Sequence, residues 1–389
     1  MAEAESQMAL ARCEAPEAFV GAALDIARRA GIALTAEAFP ADLRPDPIGL
    51  FLHAPAPQTG SYWPGRDWLP IQIVRVPEGG LAVDWVHFAG APLAHPFFAT
   101  DARRAAELPF NLLFRYRTSL DDFIHGTPDD APEPDGFIFH MSRCGSTLVS
   151  RMLAALPGVM ALSEPAPLDI ILRLAADGVE AEARGAEGNA ERGLAALRAM
   201  IAALGRRRSD TDRNPVFKLD SWQALLLPVF RRAFPGVPWI FLYRDPIEVV
   251  ASLRLTPSVQ MMAHVPHHHG IHADAGASPE DHISAVVAQI CSAAADLAGE
   301  GGMLINYADL PAAIGPIMAH FGLAPGEEAR AAMMETVRRD AKSPWRDYVA
   351  DSEAKQRDAS PAVRSAAERH LAEPWRRLEA LRLAQSSEG

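Results

Sequence analysis

Four short apolar runs stand out in the later part of the chain: Phe137-Ile138-Phe139, Pro215–Leu219 (PVFKL), Trp239–Tyr243 (WIFLY) and Gly302–Asn306 (GMLIN). Each is short, rich in β-formers and separated from the next by sequence of helical character. That alternation predicts a parallel sheet covered by helices on both faces. After Phe139 the chain turns small and polar. It then resumes with apolar Leu148, Met152, Leu153 and Leu156 on one helix face. Further helices are predicted over 168–176, 190–204 and 222–234. A Gly-, Ala- and Glu-rich loop is predicted at Asp177–Asn189, and Ala161–Pro167 reads as a connection. The C-terminal stretch is charged and helical, and no internal repeat is visible.

The N-terminal part reads differently. A helix is predicted over 14–31, followed by Pro40, Pro45, Pro47, Pro55, Pro57 and Pro64, which leave no room for a continuous helix or central strand. Leu69–Val76 and Leu81–Phe88 alternate around Glu78-Gly79-Gly80 as a hairpin, and Leu108–Ile124 reads as a helix. Gly126–Pro134 is a polar, proline-rich linker. The expected organisation is a small α+β region at 1–130 and a main α/β domain at 131–389.

Composition narrows the partners. The 389 residues carry 37 Lys+Arg against 49 Asp+Glu, a formal charge of −12. Nucleic acid and anionic membrane both want a basic face, so neither is expected, and the basic residues of any anion site must act locally. The N-terminus is acidic and no window approaches a membrane span, so a soluble cytoplasmic protein is expected. Cys13, Cys144 and Cys291 are too few and too scattered for a disulfide framework or a zinc pattern.

The stretch Phe137–Leu153 carries the chemistry. A strand leads into Ser142-Arg143-Cys144-Gly145-Ser146-Thr147 and then a helix. A helix N-terminus offers unpaired N–H groups and a positive dipole end. Gly145 permits a tight turn and close approach, Arg143 adds a fixed charge, and Ser146 and Thr147 add hydroxyls. Together they form an anion cradle, or else a plain strand–turn–helix. The Walker pattern GxxxxGK[ST] is absent. Cys144 as a nucleophile would need a base the sequence does not identify, and it reads instead as a small residue that fits.

A second site follows Trp239–Tyr243. In Arg244-Asp245-Pro246-Ile247-Glu248, Asp245 suits an N-cap and Pro246 the first helical position, which leaves Arg244 at a strand's carboxyl end with Ser252 two turns on. Ligands of parallel sheets bind outside those ends. An Arg244–Asp245 salt bridge is the plainer alternative. Arg206-Arg207-Arg208 reads as a solvated basic loop. The cluster His264, His267, His268, His269 and His272 is interrupted by Pro266 and Gly270, so it reads as a flexible or substrate-facing loop rather than a metal site.

In this order the features resemble the sulfotransferases that use 3′-phosphoadenosine 5′-phosphosulfate (PAPS). The loop Ser142–Thr147 is similar to that family's 5′-phosphosulfate loop, and Phe217-Lys218 to its strand-end lysine. Tyr243-Arg244-Asp245-Pro246 with Ser252 is similar to its 3′-phosphate motif, and Tyr307-Ala308-Asp309-Leu310 to its Tyr-x-Asp-Leu segment. The resemblance covers about residues 135–312, departs in having Arg143 where many members have Lys, and lacks the Arg-Lys-Gly loop of the cytosolic steroid and phenol branch. It implies a three-layer P-loop-like fold and PAPS as donor without a metal. It also implies a small-molecule or carbohydrate acceptor and a soluble bacterial-type enzyme. Arg143, Cys144, Gly145, Ser146, Thr147, Arg244 and Ser252 would hold the donor, while Arg143 and Lys218 would steady the departing 5′-phosphate. Glu164 would be the general base, with Asp220 second. Helix capping is the alternative role of both acids. An ATP-dependent small-molecule kinase and a non-catalytic nucleotide-binding module remain the competing classes, and the oligomeric state is left open.

Overall fold

The computed structural model describes residues 4–40, 43, 55–77, 79–186, 189–262, 271, 276–343, 345–347 and 351–388. All five residues of the histidine cluster lie outside the described residues. The chain divides into two compact units. One takes in Met1–Pro132, Pro165–Ile171 and Ala195–Asp210, and the other Glu133–Glu164, Leu172–Leu194 and Thr211–Gly389.

The first unit is built on a four-stranded sheet of β1 (Gln58–Thr59), β2 (Trp68–Arg75), β3 (Leu81–His87) and β4 (Tyr116–Ser119), in the order β1-β4-β3-β2. The expected hairpin is β2 and β3, with an irregularity between Pro70 and Gln72 where proline supplies no ladder donor. The expected helix at Leu108–Ile124 is instead a helix Pro109–Leu113, strand β4 and a helix Leu120–His125. Tyr116 to Ser119 align with Trp85 to Ala82 of β3, and sheet pairing overrides the local helical pattern there. Ser119 then caps the second helix by accepting from Asp122 N–H at 3.0 Å.

The basic run Arg206-Arg207-Arg208 is not a solvated loop. Arg206 donates to the carbonyls of Trp68 at 3.2 Å and Pro64 at 2.9 Å, and its guanidinium lies over the rings of Trp63 and Trp85. Arg208 is buried over Phe88 and donates to the Ala91 carbonyl at 2.7 Å. Two of the three arginines are therefore structural anchors that exploit the flat guanidinium.

The second unit centres on an all-parallel sheet of β5 (Gly136–His140), β6 (Val159–Ser163), β7 (Asn214–Lys218), β8 (Trp239–Tyr243) and β9 (Gly302–Asn306), ordered β6-β7-β5-β8-β9. Every residue of β5 and β8 is buried, as expected of strands covered on both faces. The α/β parallel-sheet expectation holds. The sheet has one strand more than expected: β6 occupies part of the supposed connection at Ala161–Pro167. Gly158, at φ +81°, leads into it and accepts from Arg213 and Asn214 N–H at 2.9 and 3.0 Å.

The loop expected at Asp177–Asn189 also changes, because the helix Pro167–Ala183 runs through its first half. Gly178, in the stretch expected to be a loop, and Gly193, inside the expected helix 190–204, both serve close packing. A Cβ on Gly178 would meet Ala190 Cα at 2.9 Å, and one on Gly193 would meet Ala175 Cα at 2.6 Å. The expected helix 222–234 is a 3-10 turn, Ser221–Leu226, continuing into a helix Leu227–Ala233.

Candidate functional site

Strand register decides which side chains meet. Ser163 pairs with Lys218 and His140 with Leu242, so the carboxyl ends of β6, β7, β5 and β8 share one edge of the sheet. The residues following these ends are Glu164, Leu219, the Met141–Gly145 loop and Arg244. The chain leaves β5 toward β6 on one side and later returns to β8 on the other. This reversal is where ligands of such sheets bind.

The loop is wound in left-handed backbone. Ser142, Arg143 and Gly145 have φ of +78°, +52° and +85°. Such angles cost a non-glycine residue roughly 1–2 kcal/mol, so surrounding contacts must enforce them. Several do. His140 Nδ1 accepts from Ser142 N–H at 3.0 Å, which makes Nε2 the protonated nitrogen that donates to the Leu219 carbonyl at 2.9 Å. Burial, then the nearby Lys218 charge, lowers the His140 pKa, consistent with a neutral ring in that tautomer. Met141 N–H and Cys144 Sγ–H both donate to the Leu242 carbonyl, at 3.0 and 3.1 Å.

Gly145 caps the helix Ser146–Ala154, whose first bond runs from Val149 N–H to the Gly145 carbonyl at 3.1 Å. The preceding N–H groups therefore lie at the loop mouth with the positive end of the helix dipole. Glycine is required at 145: besides its φ, a Cβ would come within 2.8 Å of the Tyr307 ring. Ser146 and Thr147 are buried at the start of this helix. Cys144 is wholly buried and its thiol is pushed up to about 12 by burial, so it fills space and is no nucleophile.

Lys218 and Glu164 form the centre. Lys218 is 1% exposed, and its ammonium is paired with Glu164 Oε1. Glu164 has φ +51° and is fixed by its own N–H donating to the Lys218 carbonyl at 2.7 Å. His140 Nε2 is 3.8 Å from the same carboxylate oxygen. Burial pushes the Glu164 carboxyl up, but the Lys218 charge and the neighbouring His140 outweigh it and hold the pKa down at about 2. Asp220 is differently placed. Its Oδ1 accepts from Ser221 N–H at 2.6 Å and Gln260 Nε2 at 3.0 Å, and it forms a capping box with Gln223. Its pKa is raised by burial and then by the Glu164 charge. Asp220 is thus a helix cap.

Arg244 is buried, and its partner is not Asp245. Asp245 caps the helix Pro246–Leu255 by accepting from Ile247 and Glu248 N–H at 2.9 and 3.3 Å. Arg244 instead donates to Glu248 Oε2 at 2.5 Å, Asp351 Oδ1 at 2.8 Å and Ser352 Oγ at 2.9 Å, with its guanidinium 4.2 Å from the Tyr307 ring centre. Burial works against its charge, and the bonds it donates to Asp351 and Glu248 more than restore it. The preceding Tyr243 is anchored by its hydroxyl, which donates to Glu379 of the C-terminal helix at 2.5 Å. Tyr307 touches both the Gly145 position and Arg244, and so spans the two anion elements.

Arg143 directs its guanidinium to the Thr256 carbonyl at 2.6 Å, past the end of the helix that carries half-buried Ser252. It lies near enough to Glu164 for the carboxylate to act on its charge. Sequence reasoning missed three residues, one of them the Asp351 partner of Arg244. His140 was hidden as the last letter of an apolar strand. Lys342 follows Asp340, whose carboxylate accepts from Lys342 N–H at 3.1 Å. Its ammonium is depressed by its partly enclosed setting and then by the like charges of Arg143 and Lys218. Nothing in the sequence around Lys342 signals that proximity.

Among the described residues no group of three or more His, Cys, Asp or Glu is placed to hold a metal ion, and no helix is long and apolar enough to cross a membrane. No protein-family model and no curated protein sequence matches the chain significantly. Among solved structures it is similar to the sulfotransferase domain from the Synechococcus PCC 7002 olefin synthase, at 17% identity over 62% of this chain and 96% of that one, TM-score 0.36. It is also similar to a sulfotransferase from Mycobacterium tuberculosis H37Rv, at 18% identity over 59% of this chain and 78% of that one, TM-score 0.34. A third is the sulfotransferase domain from the curacin biosynthetic pathway, at 14% identity over 65% of this chain and 98% of that one, TM-score 0.38. At such identities and scores these likenesses assign no function, which rests on the chemistry of the site.

Proposed function

We propose that the chain is a sulfotransferase that moves a sulfuryl group from PAPS to the hydroxyl or amine of a small-molecule or carbohydrate acceptor. The observation that carries this reading is buried Lys218 paired with partly exposed Glu164 beside a left-handed loop at a helix N-terminus. A cation meant for the leaving group and a carboxylate meant for the incoming nucleophile are held at adjacent strand ends. The donor supplies an activated sulfuryl group on a 5′-phosphate, together with a 3′-phosphate as a second anionic handle.

The chain's own residues divide the work. Thr147 and the N–H groups around Gly145 receive the 5′-phosphosulfate at the helix N-terminus. Lys218 meets the negative charge that grows on the departing phosphate oxygen. Arg143 adds its charge at the loop's edge. Arg244 and Ser252 hold the 3′-phosphate, for which Arg244 exchanges Asp351. Glu164 takes the acceptor's proton. With its pKa held at about 2 by Lys218 it is a weak base. An anionic donor that draws the Lys218 charge toward itself releases the carboxylate and raises its basicity. Donor binding and base activation are thereby coupled through one lysine.

The test is transfer of labelled sulfate from PAPS, with EDTA present, to a panel of phenols, alcohols, amines and sugars. Turnover is expected in the wild type, with a loss of about 10²–10⁴-fold in Glu164→Gln, the range typical for removal of a general base. Full activity in that variant, with its fold verified, removes Glu164 from the role. No transfer to any acceptor class together with Mg²⁺-dependent phosphoryl transfer from ATP overturns the reading.

A further inference from the structure

Arg244, to which the 3′-phosphate is assigned, directly follows β8, and Tyr307, whose ring packs against its guanidinium, directly follows β9. The last residues of these strands, Tyr243 and Asn306, are register partners and stand side by side at the sheet edge. Tyr243 is wholly buried and Asn306 half-buried, so their polar groups need hydrogen-bond partners. Both find one on the C-terminal helix Pro361–Glu388.

Glu379 Oε1 accepts from the Tyr243 hydroxyl at 2.5 Å and from Asn306 Nδ2 at 2.7 Å, so a single carboxylate oxygen joins the two strand ends. Arg382, three residues on, donates to the other oxygen at 2.9 Å, to the Tyr243 hydroxyl at 3.1 Å and to Asp309 Oδ2 at 3.2 Å. Asn306 in turn caps the 3-10 turn Tyr307–Asp309, its Oδ1 accepting from Ala308 N–H at 2.9 Å. Both ends of the turn that carries Tyr307 are therefore tied to the C-terminal helix. Burial pushes the Glu379 carboxyl up, but the bonds from Arg382, Tyr243 and Asn306 outweigh it and lower its pKa, so it is ionised and acts only as an acceptor. Burial, then the Glu379 bond, pushes the Tyr243 phenol up, which keeps its proton in place for donation. Gln385 fastens the same helix elsewhere: it accepts from Leu304 N–H at 3.1 Å and donates to the Gly302 carbonyl at 2.7 Å, short of the end of β9.

We propose that Glu379 and Arg382 are positioning residues for the 3′-phosphate subsite. They act through Tyr243, Asn306 and Asp309: by fixing the ends of β8 and β9 against each other they set where the Tyr307 ring meets the Arg244 guanidinium, 4.2 Å from the ring centre. Tyr307 also abuts the Gly145 position, so the same clamp sets the distance between the two anion elements. The inference rests on the sulfotransferase reading, which supplies the phosphate that Arg244 is to hold.

The experiment is titration calorimetry of the full chain with 3′,5′-adenosine bisphosphate. Glu379→Ala should weaken binding by about three- to thirtyfold, the range for residues that act on a site through a packed network. Arg382→Gln should weaken it in the same direction, and carries the test if Glu379→Ala does not fold. Glu379→Gln keeps an acceptor oxygen for the two strand ends and should recover part of the affinity. Gln385→Ala removes helix docking without touching the clamp; it should lower the unfolding temperature and bind like the wild type. In transfer assays the KM for PAPS should rise in Glu379→Ala in step with the lost affinity while kcat is unchanged. Wild-type affinity in folded Glu379→Ala and Arg382→Gln overturns the proposal. So does a loss in Gln385→Ala as large as theirs, which would make helix docking the cause. Either result leaves the sulfotransferase reading standing when the wild type binds and Arg244→Ala does not. A wild type that fails to bind the bisphosphate overturns that reading, and this inference with it.

Discussion

Glu164→Gln should make the protein less stable at neutral pH and less sensitive to acid. Lys218 is almost fully buried, and Glu164 supplies the charge that compensates it. An unperturbed glutamate titrates near pH 4.3, whereas Glu164 is held at about 2. Every tenfold gain in acidity corresponds to about 1.36 kcal/mol, so the carboxylate stabilises the native state by roughly 2–4 kcal/mol. Removing one member of a buried pair costs about 3–5 kcal/mol when both are inaccessible, and the 29% exposure of Glu164 places the expected loss at or below the lower end. Because the folded pKa is depressed, this stabilisation is complete above about pH 5. It is lost as the pH falls through about 2, with about half gone near pH 3. Urea unfolding of wild type and Glu164→Gln should therefore differ by roughly 2–3 kcal/mol near pH 7 and converge toward pH 2. Other carboxylates titrate alike in both proteins and cancel. Adding Lys218→Met to the variant should recover part of the loss, since the uncompensated charge is then gone. Parallel pH profiles for the two proteins would refute the pairing argument.

Two further perturbations probe the anion elements. Gly145→Ala forces a left-handed angle on alanine and drives its Cβ to 2.8 Å from the Tyr307 ring. Unfolding should register a loss of about 2–4 kcal/mol from the backbone and overpacking costs together, and a variant as stable as wild type would show that the loop relaxes freely. Asp351 is half-exposed and competes for Arg244 at 2.8 Å. Asp351→Asn should tighten binding of 3′,5′-adenosine bisphosphate by about two- to fivefold, the scale of an exposed ion pair, while weaker binding would mean that Asp351 supports the ligand instead of opposing it.

Strands β5, β7, β8 and β9 were legible because each is a short apolar run between helices, and Arg244 because capping chemistry follows it immediately. Strand β6 was not. Val159–Ser163 is an edge strand with an alternating, half-buried pattern and merges in sequence with the polar turn after it. The helix Pro167–Ala183 extends past its expected end because Gly178 reads as a breaker, whereas the fold uses its missing side chain to admit Ala190. Tyr116–Ser119 is a strand because β1 and β3 flank it as partners. Arg206 and Arg208 are charged in sequence and anchors in the fold, since carbonyls and rings distant along the chain receive them. At the candidate site, the strand-end positions were legible and their side-chain partners were not. His140 was hidden at the end of an apolar strand, two residues before the loop it holds, and Asp351 and Lys342 are brought in by the fold from positions that no spacing rule reaches.

The central claim is a donor with two separate anionic handles, one at the Ser142–Thr147 loop and one at Arg244. Thermal unfolding with 3′,5′-adenosine bisphosphate and with ATP·Mg²⁺ tests it, in wild type and Arg244→Ala. The bisphosphate at about a hundred times its dissociation constant should stabilise the wild type by about 2.7 kcal/mol, ATP·Mg²⁺ should do far less, and Arg244→Ala should lose most of the response. Stabilisation by ATP·Mg²⁺ alone, or an Arg244→Ala protein that responds like wild type to the bisphosphate, would contradict it.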